Sequence, residues 1–100
     1  MSDWIGSAKA VHLTASGAIF AGPCKILSIY FVSETTAGTI VIKDGGGSGT
    51  TIATFDTPIG GASVTQPTYY QIDIPGQGLH CATSGYATLT NVAKVTILYG

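Results

Sequence analysis

Short runs of branched and aromatic residues, cut by turn residues about every eight to twelve positions, constrain this chain more than any other feature of its sequence. Within the runs, apolar and polar side chains alternate with a period of two, the period of a pleated strand. The runs occupy residues 8–15, 18–20, 24–33, 39–43, 50–55, 69–74, 79–83, 87–92 and 94–99. Between them stand Ser16-Gly17, Ala21-Gly22-Pro23, residues 35–38, the loop 44–49, residues 56–67 and Pro75-Gly76-Gln77-Gly78. Thr and Gly each supply close to one residue in seven, whereas there is one Glu, one Met and no Arg. Branched and aromatic side chains suit a pleated surface, and helix formers are scarce.

The run 24–33 is the strongest. Simple alternation puts Leu27, Ile29 and Phe31 on one face and Ile26, Ser28, Tyr30 and Val32 on the other. Both faces are largely apolar, which predicts a central strand whose second face meets another protein. In 69–74, Tyr70, Ile72 and Ile74 are expected inward, with Tyr69, Gln71 and Asp73 outward; in the last run Val95, Ile97 and Tyr99 share a face. The expectation is an all-β chain forming a single small β-sandwich, jelly-roll-like, of seven or eight antiparallel strands. Immunoglobulin-like connections share the same pattern, so strand order stays open. Residues 8–100 form the domain and residues 1–7 an N-terminal arm.

Charge narrows the partners. Hydrophobic residues make up 45% of the chain and charged residues 9%, against about 25% in an ordinary soluble domain. Such a surface suits contact with other protein. Net charge is −1, and Lys9, Lys25, Lys43 and Lys94 are scattered along the chain. A nucleic-acid partner needs a basic patch, which is lacking. The longest apolar stretch, residues 26–32, is interrupted by Ser28 and is far short of the ~20 residues that span a bilayer, so no membrane partner is expected. The N-terminus shows no basic region followed by an apolar one, which predicts a cytoplasmic origin and free thiols at Cys24 and Cys81. The two could pair if their strands face each other across the core.

The motifs with a chemical reading also have plain structural alternatives. The Gly-rich segment 44–49 lacks the Lys-Ser/Thr and the helix of a phosphate loop, and reads as a hairpin loop. Asp44 and Asp56 stand singly, whereas calcium wants several carboxylates together. His12 and His80 with the two cysteines lack the close ligand pairs of structural zinc, and His80 and Cys81, as strand neighbours, point to opposite faces. No arrangement of nucleophile, base and acid is apparent. No catalytic residue, metal or cofactor is therefore expected. Tyr69, Tyr70, Tyr86 and Tyr99 suit either a sugar-binding platform or cross-strand packing. Trp4 is the one large aromatic in an arm of otherwise small residues, either disordered or docking into a partner. The candidate partner-binding residues are Trp4, Ile5, Tyr30, Tyr69 and Tyr86.

Four segments together carry a resemblance: Gly22-Pro23-Cys24-Lys25-Ile26-Leu27, Ile40-Val41-Ile42-Lys43-Asp44-Gly45, the turn Ile74-Pro75-Gly76-Gln77-Gly78-Leu79, and the closing stretch from Leu89 through Asn91, Lys94 and Ile97 to Tyr99-Gly100. Over residues 23–100 the chain resembles the small β-sandwich virion proteins of tailed phages, cyanophage-like ones in particular. That resemblance implies a non-enzymatic virion part assembled in the host cytoplasm. It points first to a capsid decoration (cement) protein bound at capsomer joints through the major capsid protein. The neck, tail, fibre and a receptor- or carbohydrate-binding module are the alternatives. By analogy with decoration proteins at three-fold positions it implies a homotrimer. It carries no catalytic residues over to this chain.

Overall fold

The computed structural model describes residues 9–34, 36–58, 69–76 and 78–100. They are all-β. Nine strands run in chain order: β1 (Lys9–Leu13), β2 (Gly17–Phe20), β3 (Cys24–Ser33), β4 (Gly38–Asp44), β5 (Thr50–Thr57), β6 (Tyr69–Asp73), β7 (Leu79–Cys81), β8 (Gly85–Thr90) and β9 (Val92–Tyr99). Among the described residues no helix is long and apolar enough to cross a membrane. The expected arm at 1–7 and most of the expected loop 56–67 lie outside the described residues. Asp56 and Thr57 belong to β5, not to that loop.

Two antiparallel sheets carry the strands, in the orders β1-β9-β3-β6 and β2-β8-β4-β5, with β7 also on β3. β6 pairs with residues 28–32 of β3 and β7 with residues 24–26, both on the edge that β9 leaves open. They are one strand interrupted by residues 74–78. Counted so, the strands number eight and stand 1-8-3-6 and 2-7-4-5, the strand order of a jelly roll. This settles the choice between jelly-roll and immunoglobulin-like connections, and the interruption explains why nine segments appear where seven or eight were expected.

The core lies between the sheets, and Ile26, Ile29, Ile40, Ile42, Ile97, Val95 and Cys81 are fully buried in it. Simple alternation does not produce this set. Leu27 is an extra residue against β9, where Ile26 pairs with Tyr99 and Ser28 with Leu98; on the other edge, where Ile26 pairs with Leu79 and Ser28 with Asp73, it lies opposite the interruption at 74–78 and its carbonyl accepts the Ile74 N–H at 3.0 Å. A bulge reverses the in–out order beyond it. Ile26 therefore faces the core together with Ile29 and Phe31, which corrects the placement of Ile26 on the outer face. The same device recurs. Ile52 is extra in β5 and Ala93 in β9, so Ile52 packs on the core with Phe55 and Val92 with Val95. Each bulge turns two apolar side chains three positions apart onto one face.

Strand ends have local causes. The expected strand 79–83 stops at Cys81 because the next three amides leave the ladder. Ala82, Thr83 and Ser84 donate their N–H groups to the Asp44 carboxylate at 3.0, 2.8 and 3.1 Å. Asp44 sits at the end of β4 in the other sheet, so this contact ties the sheets together where the chain crosses between them. The expected strand 87–92 instead runs Gly85–Thr90, and the chain turns at Asn91, whose φ is 55°. Asn91 donates from Nδ2 to the Ala37 carbonyl at 3.2 Å. Gly38 is required beside this turn, because a Cβ there would lie 1.8 Å from the Thr90 carbonyl oxygen.

Two outcomes check these devices. Leu27→Ala should cost about 1–2 kcal/mol in urea unfolding, as for a half-buried leucine. Deleting Leu27 should abolish cooperative unfolding, because it sends Cys24 and Ile26 outward; a deletion no worse than the alanine variant would refute the bulge assignment. Asp44 is held below its ordinary 3.8, chiefly by the Thr83 and Ser84 amides, with burial acting the other way. A lowered folded value adds stability above the unfolded one, lost as pH falls through the folded value. The melting temperature of the native chain should therefore drop as pH falls below about 4, and Asp44→Asn should flatten that drop.

Candidate functional site

The outer face of the β1-β9-β3-β6 sheet is a grid fixed by register. One row across it reads His12, Thr96, Tyr30 and Gln71; the row on one side reads Ala10, Leu98, Ser28 and Asp73, and that on the other Lys94, Val32 and Tyr69. Alternation sends these side chains away from the core that their neighbours fill.

Tyr69 is 65% exposed and Tyr30 40%. Their rings meet at 5.4 Å between centroids, tilted by 34°. The next pair along the same two strands, Phe31 and Tyr70, stacks at a similar 5.4 Å on the core side. Cross-strand aromatic packing thus occurs on both faces of one ladder, and only the outer pair leaves its rings open to solvent. Beside the tyrosines a depression of about 350 Å³ is lined by His12, Tyr30, Val32, Tyr69, Lys94, Val95 and Thr96. His12 Nδ1 lies 3.0 Å from the Thr96 hydroxyl. Among the described residues this lining includes no carboxylate. At the other end of the face, Ser28 and Gln71 both donate to Asp73 Oδ1 at 3.0 Å, which closes that end with a polar cluster.

The arrangement offers two aromatic rings for stacking, hydroxyl and imidazole groups for hydrogen bonds, and the Lys94 ammonium at the rim. That is the equipment of a binding surface: apolar area with a few placed polar groups.

The structure brings together two of the expected partner-binding residues, Tyr30 and Tyr69. Tyr86 does not join them. It pairs with Lys43 and Ala18 in the other sheet, on the opposite outer face of the sandwich. There it is half-buried against the hairpin loop, its ring 3.3 Å from where a Cβ at Gly47 would stand. Trp4 and Ile5 lie outside the described residues. His12, Thr96, Lys94 and Val32 join the face only through the pairing of β1 and β9 with β3, which no local pattern announces.

Other candidate sites resolve as their plain alternatives. Residues 44–49 form the β4–β5 hairpin loop: Gly45 and Gly46 take φ of 103° and 91°, and Lys43 Nζ donates to the Gly47 carbonyl at 3.0 Å. Asp44 pairs with Thr50 and Asp56 with Thr39, at opposite ends of that hairpin. Five residues of strand separate them, about 17 Å, too far to share a cation. Among the described residues no three His, Cys, Asp or Glu side chains gather as metal ligands. His80 is exposed and Cys81 buried, on opposite faces as alternation requires.

No protein-family model, curated protein or solved structure matches this chain.

Aromatics on the two faces should respond differently to truncation. Phe31→Ala should cost about 3–5 kcal/mol in chemical denaturation. Tyr69→Ala should cost no more than about 1 kcal/mol, the worth of one ring pair at an exposed position. Comparable losses at the two positions would make the outer tyrosines structural.

Proposed function

We propose that this chain is a non-enzymatic assembly protein of a phage virion, a capsid decoration or cement protein that binds the shell through the outer face of its β1-β9-β3-β6 sheet. The observation that carries the reading is the exposed Tyr30–Tyr69 pair beside its shallow depression, on a protein with only 9% charged residues. Tyrosine anchors dominate protein interfaces because each buries a large rigid area and keeps a hydroxyl for a hydrogen bond. Jelly rolls occur in viral capsid domains, which agrees with the reading by fold analogy alone. A homotrimer placed at capsomer joints suits a cement role, since each contact must bury area across two shell subunits; a standard stable contact buries about 1,600 Å².

A second reading has its own observation. Tyr30, Tyr69, His12, Thr96 and Lys94 around one depression also fit a carbohydrate-binding module, and jelly rolls occur among lectins.

The deciding experiment measures solution mass by light scattering, then co-sedimentation with phage heads stripped of their decoration protein. A trimer that pellets with the heads is expected. The double variant Tyr30→Ala/Tyr69→Ala should keep its fold and lose co-sedimentation at least about tenfold, the equivalent of one lost hot spot. A monomer that ignores the heads would overturn the cement reading, and glycan binding abolished by the same double variant would establish the alternative.

A further inference from the structure

Cys24 opens β3 and Cys81 closes β7, and the register sets them directly opposite each other on adjacent antiparallel strands. They are not across the core from one another but side by side within one sheet. Both side chains point inward, 4% and 0% exposed, and both are free thiols. Directly opposed residues of an antiparallel pair hold their Cα atoms about 4.5–5.5 Å apart, inside the ~4.4–6.8 Å that a disulfide spans. The Cys24 sulfur occupies room that Gly85 leaves, since a Cβ at that position would stand 2.9 Å from it.

The surroundings allow closure. A disulfide draws its two Cβ atoms to about 3.8 Å, closer than the ~4.5–5.5 Å of an unbonded cross-strand pair. β7 is only three residues long and pairs with β3 alone, so little backbone has to shift for the sulfurs to close. The chain enters it from the interruption at 74–78 and leaves it into the three amides gripped by Asp44.

We propose that Cys24 and Cys81 are a redox-controlled staple, an intramolecular disulfide that closes under a peroxide and reopens under a thiol reductant, bonding β7 covalently to β3. Cys24 is the attacking sulfur. Of the two it keeps the trace of exposure through which an oxidant enters, 4% against 0%; burial raises both thiols, and Cys81 is pushed up to about 12. The Cys24 thiolate attacks hydrogen peroxide; an S–O bond forms, the O–O bond breaks, and hydroxide leaves and takes a proton. The Cys81 sulfur then attacks the Cys24 sulfenic acid. The S–S bond forms, the S–O bond breaks, and the oxygen departs as water with the Cys81 proton. Two thiols and one peroxide become one disulfide and two waters. The bridge closes a loop of about 57 residues, and long loops are where a crosslink most restricts the unfolded chain.

The test uses the full chain, oxidised with hydrogen peroxide or reduced with a phosphine. Expected are an intact mass lower by two hydrogens, no alkylatable thiol after unfolding, and a melting temperature higher by on the order of 10 °C. All three should reverse on reduction, and oxidation should accelerate as pH rises and thiolate forms. In Cys81→Ser, peroxide should leave a sulfenic acid on Cys24 that dimedone traps, with no gain in melting temperature. A monomer keeping two alkylatable thiols, a disulfide only between two chains, or an intramolecular bridge without a rise in melting temperature would each overturn the proposal. These readings need only the unaltered chain, so they stand even if the serine variant does not fold.

Discussion

Everything in this sandwich depends on β3 facing the core from both of its halves. A pleated strand presents every second residue to each side, and ten residues without irregularity would commit Ile26 and Ile29 to opposite faces. The bulge at Leu27 removes that conflict. β3 pairs with β9 along one edge and with β6 and β7 along the other, so its parity propagates to three strands. Ile26 meets Tyr99 and Leu79, Ile29 meets Ile97 and Ile72, and Phe31 meets Val95 and Tyr70. A single extra residue thus sets which side chains of the sheet fill the core and which form the outer grid.

The sandwich was legible in the sequence because its signals are local. Turn residues and branched runs placed β3 from Cys24 to Ser33, the 44–49 hairpin, and the inward Tyr70 and Ile72. What escaped was non-local. A bulge leaves no mark in a run that is apolar on both faces, so Ile26 read as an outer residue. The end of β7 depends on a carboxylate nearly forty positions away. Gly85 lay outside the expected run 87–92, yet it is a strand position where the Cys24 sulfur would crowd any side chain.

The candidate site was half legible for the same reason. Tyr30 and Tyr69 both follow from alternation within their own strands. That they touch follows only from pairing, and so does the presence of His12, Thr96 and Lys94 beside them. Tyr86 has the same residue type and a similar strand context but belongs to the second sheet, and its ring covers a glycine loop. The difference between these tyrosines is therefore a property of topology: Tyr30 and Tyr69 form an open ring pair on one sheet, whereas Tyr86 on the other lies over a hairpin.

The break between β6 and β7 has a further meaning for how copies of this molecule could meet. An uninterrupted edge strand offers a row of N–H and C=O groups onto which another strand can add. Here the edge of the larger sheet is cut midway, where Pro75 has no amide hydrogen and Gly76 and Gly78 take φ of 70° and 89°. A neighbouring strand arriving at this edge finds two short, offset segments rather than one template. Growth of the sheet from molecule to molecule is blocked there. This edge therefore protects the sheet from ribbon-like extension without needing a charged or covering segment to do so.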